Sequence, residues 1–195
     1  DTTATGQYST AMGYKTTTGV VVVGGQFNGN FATAMGYKTT ATGHASTAMG
    51  HETRASGHAS TAMGEGTKAE GEYSTATGLE TTASGVRSTA MGEATIASGY
   101  ASTAIGKYNE AKTDALLMVG KGTSDNDRSN AFEVMSNGDA NVGGTVTAVS
   151  FKIGNHVLSE AKLGKLLNLL DTLDNLSSED EKNCLKNRYN TLSTC

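Results

Sequence analysis

Two nearly identical stretches, "TGHASTAMG" at residues 42–50 and "SGHASTAMG" at residues 56–64, stand fourteen residues apart. They belong to a longer repeat with the consensus G-x-x-S-T-A-M-G-x-x-T-x-A-x, in which glycine recurs at every seventh position from Gly29 to Gly106. The same rhythm is already present at Gly6 and Gly13. A fixed period of this kind is typical of repeat architectures, in which each unit buries its faces against its neighbours.

The composition also argues against a conventional globular core. The 195 residues include 25 glycines but no proline or tryptophan, and the net charge is −4. Few large apolar side chains are available to fill an interior, and the charge does not favour nucleic acid or an anionic membrane as a partner. No stretch approaches the roughly 18 to 20 apolar residues of a membrane span. Because the chain begins within the repeat and without Met, we expect it to be part of a longer protein.

Seven residues between glycines leave room for a strand of about five residues and a turn. Glycine supplies the positive φ that such turns demand, whereas a helix this short and glycine-rich would be unstable. Each fourteen-residue unit therefore predicts one coil of a narrow parallel β-solenoid, with two strands and two turns. We expect about seven coils, stacked about 4.8 Å apart.

Alternation along the strands predicts which side chains fill the coil. On the first strand Ser46 and Ala48 should face inward and Met49 outward, and on the second strand Thr53 and Ala55 should face inward. An exposed methionine column would be a costly apolar patch on a monomer, and such patches usually mark an interface. We therefore expect copies of the chain to pack through this column, which consists of Met12, Met35, Met49, Met63, Met91 and Ile105.

The repeat G-x-x-S-T-A-M-G-x-x-T-x-A-x-G resembles the head repeats of YadA-like trimeric adhesins, also called Hep/Hag repeats. Similar repeats occur in fibre and spike proteins of phages and large viruses. The resemblance covers residues 1 to about 113 and implies a mainly β fold, a left-handed parallel β-roll, assembled as a homotrimer. The commoner form of the repeat is S-V-A-I-G; this chain has Thr in place of the Val and Met in place of the Ile.

The rhythm is interrupted between Gly13 and Gly29, where sixteen residues stand in place of an expected fourteen. We predict a bulged coil that absorbs two extra residues. The alternative is a local binding loop around Gln26, Phe27 and Asn28.

The repeat ends near residue 113, and residues 114–150 are predicted to form a neck with ordinary β-strands. Segments 115–119 and 131–135 have strand composition, and residues 136–139 (SNGD) have the composition of a turn. Calcium binding by Asp125, Asp127 and Ser129 is an alternative to a solvated turn, although no EF-hand spacing is present.

Residues 151–195 are predicted to be a helical C-terminal segment. Leu163, Leu166, Leu170 and Leu173 keep a/d spacing for about two heptads, which makes them a second candidate trimer interface. A short trimeric coiled coil and a helical hairpin packed on the neck both remain open. Cys184 and Cys195 are either incidental thiols or a local or interchain disulfide, and residues 175–177 (NLS) match a glycosylation sequon.

No pattern of catalytic or cofactor-binding chemistry is present. The glycines are periodic, unlike those of a nucleotide-binding loop. His44, His51 and His58 could form a ladder of metal ligands along the coils. Exposed turn positions explain these histidines better, because other coils place unrelated residues in the same columns. We therefore expect neither an enzyme nor a cofactor or metal.

These patterns favour a trimeric surface fibre that attaches to a host receptor or glycan, located on a virion or at an extracellular cell surface. Other virion or cell-envelope proteins would be its further partners. The variable outward positions Tyr37, Lys38, His51, Glu52 and Arg54 are the candidate receptor-binding residues. A purely structural spacer and a bacterial adhesin head are the alternatives; the cysteines, and the lack of the membrane anchor with which such adhesins usually end, favour a virus or phage. An ice-binding solenoid is less favoured, because the exposed positions of the second strand do not carry threonine in every coil.

Overall fold

The structure is a computed structural model that describes residues 1–19, 29–147, 150–153, 156–159, 162, 164, 165, 167 and 168. The chain divides into two compact units, Asp1–Thr145 and Val146–Cys195. The first unit contains all of the repeats together with the predicted neck strands.

Each repeat forms one coil with one five-residue strand and one two-residue strand. The long strands are β2 (Thr10–Tyr14), β4 (Thr33–Tyr37), β6 (Thr47–His51), β8 (Thr61–Glu65), β10 (Thr75–Leu79), β12 (Thr89–Glu93) and β14 (Thr103–Lys107). The short strands are β1 (Thr3–Ala4), β3 (Thr17–Thr18), β5 (Thr40–Ala41), β7 (Arg54–Ala55), β9 (Lys68–Ala69), β11 (Thr82–Ala83) and β13 (Ile96–Ala97). Every strand pairs in parallel with its counterpart in the next coil, so the predicted solenoid of two strands and two turns per coil is confirmed.

The two stacks of strands enclose a core of small side chains. Ser46, Ala48 and Ala55 are completely buried and Thr53 is 1% exposed, as the alternation predicts. The equivalent alanines, serines and threonines of the other complete coils are buried in the same way. Because the turns joining the sheets are short, the interior has room only for small side chains.

The glycines have two different structural roles. Gly64, at the end of a long strand, has φ +118°, a conformation that favours glycine. Gly57, in the other turn, has no positive φ; there Ala59 adopts the left-handed conformation instead, with φ 51°. At both glycines a Cβ would overlap a carbonyl oxygen of the next coil. The prediction that glycine supplies the positive φ is therefore correct for one turn only, and close coil stacking explains glycine in the other.

The interruption of the repeat is longer than predicted. Met12 pairs with Met35, an offset of 23 residues where the other coils have 14. Gly19 lies directly beside Gly29, so the chain has nine more residues at this point than the other coils have. The predicted two-residue bulge is wrong, because only a half-unit separates Gly13 from Gly29 in the stacked coils and the excess over it is nine residues. The alternative loop residues Gln26, Phe27 and Asn28 lie outside the described residues.

The neck continues the long-strand sheet. β15 (Ala115–Lys121) adds an eighth parallel rung beside β14, and β16 (Asn130–Met135) and β17 (Ala140–Val142) follow as antiparallel strands. The resulting sheets have ten and seven strands. The predicted strands and the turn after Met135 are confirmed; the Met135 N–H donates to the Asp139 carbonyl oxygen at 2.8 Å.

Two buried side chains close this end of the roll. Met118 pairs with Ala104 and is completely buried, so it covers the end of the alanine column. Asn109 is also completely buried and pairs with the backbone of Ile96 in the last short strand. Its Oδ1 accepts from the Ile96 N–H at 2.7 Å, and its Nδ2 donates to the Ile96 carbonyl oxygen at 3.0 Å. The side-chain amide thus replaces the backbone of a further strand.

The second unit begins with an antiparallel pair, β18 (Ser150–Ile153) and β19 (His156–Ser159). The predicted helical segment therefore does not begin at residue 151; apolar residues alternate with polar ones at Phe151 and Ile153, which suits a strand. Beyond Ser159 the five described residues have helical backbone. The predicted interface leucines Leu163, Leu166, Leu170 and Leu173, and both cysteines, Cys184 and Cys195, lie outside the described residues.

Candidate functional site

The outer side of the ten-stranded sheet carries a column of apolar side chains that is interrupted at Thr77. In the roll, register pairing aligns the predicted interface residues Met12, Met35, Met49, Met63 and Met91, with Thr77 between Met63 and Met91. Ile105 continues the column, because the preceding residue Ala104 pairs with Ala90. Met12, Met35 and Met91 are 55%, 37% and 41% exposed, and the other three are half-buried. None of them lies in the core, and a parallel column of threonines accompanies them on the same face.

This column continues into the neck. This continuation was not predicted from the sequence. Val119 pairs with Ile105, Phe132 pairs with Val119, and Val142 pairs with Phe132. The available signal was the alternation in residues 115–119 and 131–135, which sends Met118 and Glu133 inward and their neighbours outward. We call the combined column, from Met12 to Val142, the apolar ridge. Ten strands at about 4.8 Å spacing give it a length of about 43 Å.

The apolar ridge has the properties of an interaction surface. Its side chains are exposed or half-buried on the single chain, and within the described residues nothing covers them. Apolar surface of this extent is unusual on a monomeric protein and is typical of an interaction site.

Four of the five predicted receptor-binding residues lie together at the turn that follows the long strands. The rings of Tyr37 and His51 stack with centroids 4.9 Å apart and an interplanar angle of 2°. Lys38 Nζ lies 2.8 Å from Glu52 Oε1 and 5.1 Å from the centre of the Tyr37 ring. Arg54 is separate from them, exposed on β7 of the other sheet between Thr40 and Lys68.

The ion pair in this group is exposed to solvent. Its hydrogen bond raises the pKa of Lys38 and lowers the pKa of Glu52 relative to their ordinary values. Since both side chains are more than 40% exposed, solvent screening keeps the contribution to stability small. The group is therefore a polar, aromatic surface and not a buried catalytic site.

The three histidines considered as a metal ladder belong to two different stacks. His44 and His58 stack with centroids 5.1 Å apart, between Phe31 and Tyr73. His51 lies at the opposite end of the long strands, against Tyr37. In the part of the chain that the structure describes, no three His, Cys, Asp or Glu side chains converge as a metal site would need.

The acidic residues of the neck are engaged in local contacts. Asp125 Oδ1 pairs with Arg128 Nη2 at 2.6 Å, and Asp127 accepts a hydrogen bond from Thr123 at 2.6 Å. The backbone N–H of Ser129 donates to the Tyr108 carbonyl oxygen at 3.1 Å. These contacts tie the neck loop to itself and to the last coil.

A second ion pair fastens the neck strands to the end of the roll. Glu133, only 5% exposed, lies 2.8 Å from Lys112 Nζ and accepts from Asn130 Nδ2 at 2.6 Å and from Asn141 Nδ2 at 3.2 Å. These hydrogen bonds, that of Lys112 first, lower the pKa of Glu133 below its ordinary value. The same hydrogen bond to Glu133 raises the pKa of Lys112.

None of the described helical residues forms a segment that is long and apolar enough to span a bilayer.

A parallel β-solenoid with a fourteen-residue coil and an apolar outer ridge defines the class of protein. Residues 1–18, 28–53, 55–81 and 83–109 match the family described as "YadA head domain repeat (2 copies)". These matches span the roll and cover about half of the chain, so the chain belongs to the YadA head repeat family. No curated protein matches it.

Proposed function

We propose that the chain is the head and neck of a homotrimeric surface fibre that attaches its carrier to a host surface. The family is one of structural, adhesin-type heads that are typically trimeric. The observation that carries the proposal is the apolar ridge, which needs a partner along its whole length and has the same extent on every copy of the chain.

Self-association is the simplest way to cover the ridge. Its residues repeat with the coil period, so an identical ridge on a second or third copy matches it rung for rung. A symmetric assembly about a threefold axis would bring three ridges together and enclose them. The predicted leucines of the C-terminal segment, Leu163, Leu166, Leu170 and Leu173, would be a second surface for self-association.

This assembly is tested by placing charge on the ridge. In the double variant Met49→Asp and Met63→Asp, two carboxylates per chain would enter the buried contact, which costs several kcal/mol each if they stay charged. We expect loss of the trimer in sedimentation. The matched control is Thr82→Asp, on the outer side of the short-strand sheet, which should leave the trimer intact; a double variant that sediments like wild type would contradict the proposal.

Attachment is assigned to the outward turn residues Tyr37, Lys38, His51 and Glu52, with Arg54 on the neighbouring sheet. Aromatic rings beside charged groups suit a glycan or a polar protein surface. Three copies on one rod would raise the effective affinity by avidity, typically 10²–10⁴-fold, if the geometry lets them bind together.

Binding of the intact trimer to a glycan array and to candidate host cells tests this assignment. Tyr37→Ala with Lys38→Ala should reduce binding, and Tyr100→Ala, an exposed aromatic at the other turn, should not. A trimer that binds no surface would instead support the alternative function of a passive spacer.

The narrower proposals are a non-enzymatic role and a virus or phage as the carrier. The non-enzymatic role is supported by the structural use of the buried polar groups at Asn109 and Glu133. A bacterial adhesin head is the alternative carrier, and the location on a virion or an extracellular cell surface is tested by labelling intact particles with an antibody to the roll.

A further inference from the structure

Methionine is concentrated on the apolar ridge. Of the seven methionines in the chain, five stand in one column: Met12, Met35, Met49, Met63 and Met91. The first four occupy consecutive rungs, so their thioethers follow one another at the spacing of the sheet. Ile105 stands in the same column, which shows that a side chain without sulfur fits this surface.

The other two methionines lie in a different environment. Met118 is completely buried in the core, and Met135 is partly buried and packs against that core. Oxidants in solution reach a thioether according to its exposure. On the single chain, Met12, Met35 and Met91 are therefore the most reactive, the half-buried Met49, Met63 and Met135 are less so, and Met118 is an internal reference that stays reduced.

We propose that the methionine column is a modification site at which oxidation to sulfoxide prevents assembly; this rests on the proposed function of the ridge. The oxidant is a peroxide or a hypohalous acid. With hydrogen peroxide, the sulfur lone pair attacks one oxygen, the O–O bond breaks, and the S–O bond of the sulfoxide forms. Sulfur loses two electrons, the peroxide is reduced, and a proton joins the departing hydroxide to give water.

The physical effect follows from the change in polarity. A thioether is apolar and adaptable and packs readily in an interface, whereas the sulfoxide is polar and chiral. Burying its oxygen without a hydrogen-bond partner is unfavourable. The side chains on adjacent rungs of the ridge are apolar except at Thr77, and hydroxyl donors are otherwise confined to the threonine column beside it. The column faces away from the core, so the coil itself stays folded and only the association is lost.

The experiment uses the full chain with Met118→Leu and Met135→Leu, which leaves the column as its only methionines. This protein is dissociated in denaturant, treated with hydrogen peroxide, freed of oxidant and refolded; sedimentation then gives its mass and circular dichroism its β content. The control carries the same two changes and Ile at all five column positions, and it keeps both cysteines, so it reports any oxidation elsewhere.

We expect the untreated chain and the treated control to form trimers. The treated chain should recover its β content but remain monomeric, and reduction by the two methionine sulfoxide reductases should restore the trimer. Treated chains that assemble as untreated ones do would overturn the inference alone. An untreated chain that is monomeric would overturn the proposed function itself, and the inference with it.

A second measurement avoids any dependence on the folding of these variants. Wild-type protein is diluted under native conditions until sedimentation shows dissociated single chains, whose ridge is exposed, and is then titrated with peroxide. At each step sulfoxide is located by peptide mapping, and the sample is reconcentrated for sedimentation. Loss of the trimer should follow oxidation of the column while Met118 remains reduced. Loss that follows Met118 oxidation would place the effect in the core and refute the inference.

Discussion

The side chain of Asn109 makes a sharp test of how the solenoid ends. In Asn109→Ala, the N–H and the carbonyl oxygen of Ile96 lose the partners that now lie at 2.7 and 3.0 Å. Each unpaired buried group costs about 1–3 kcal/mol. Ile96 is only half-buried, so water can replace part of the lost hydrogen bonding. We therefore expect Asn109→Ala to lower the free energy of opening of the last coil by about 2–4 kcal/mol.

In a solenoid, this loss should be local, because each coil contacts only its neighbours. We therefore expect hydrogen exchange to accelerate in the last coil, residues 94–109, by about 30- to 700-fold, the factors that correspond to 2–4 kcal/mol at 1.4 kcal/mol per tenfold. The central coils should exchange as in wild type. Asn109→Asp keeps the shape but replaces the donor to the Ile96 carbonyl oxygen, so it should open the same coil. Unchanged protection of residues 94–109 in Asn109→Ala would refute the view that this amide ends the short-strand sheet.

Three further predictions concern the coil and the neck. Gly64→Ala should destabilise the roll by at least about 3 kcal/mol in chemical denaturation, because φ is +118° and the Cβ would overlap the next coil; Gly66→Ala, where the nearest atom is a flexible side chain 3.3 Å away, should cost only about 1 kcal/mol. Thr67→Val should be neutral or stabilising by up to about 1–2 kcal/mol in the same assay, because the buried Oγ1 of Thr67 has no hydrogen-bond partner; a clear loss of stability would reveal a partner. The pKa of Glu133 is lowered in the folded chain. Its ionised carboxylate therefore stabilises the neck fully above the unfolded pKa of about 4.3, and this stabilisation is lost as the pH falls through the lower folded value. Hydrogen exchange of the neck should therefore rise in acid, and Glu133→Gln, or removal of its partner in Lys112→Met, should weaken the neck at neutral pH and flatten this dependence.

The sequence predicts the coil well because its period constrains every column at once. A fourteen-residue repeat with alternating small residues favours one inward set, and a single unit is enough to predict that Ser46, Ala48, Thr53 and Ala55 are buried, as they are in the structure. The outward direction of the methionines follows from the same alternation.

The remaining features depend on contacts between residues that no local pattern connects. Glycine spacing alone does not reveal which half-unit is interrupted after Gly19, but the aligned methionine column does, because Met12 and Met35 stand 23 residues apart in the sequence and pair in the structure. The continuation of the ridge through Val119 and Phe132 depends on the registers of β15 and β16. In the candidate receptor group, pattern could identify the outward positions but not the separation of Arg54 from the other four.

The mass of the purified full chain in solution tests the central claim most directly. If the apolar ridge is covered by copies of the same chain, sedimentation should give three times the 20.0 kDa chain mass at concentrations where the roll is folded. A folded particle with the mass of a single chain, its ridge methionines freely oxidised, would contradict it.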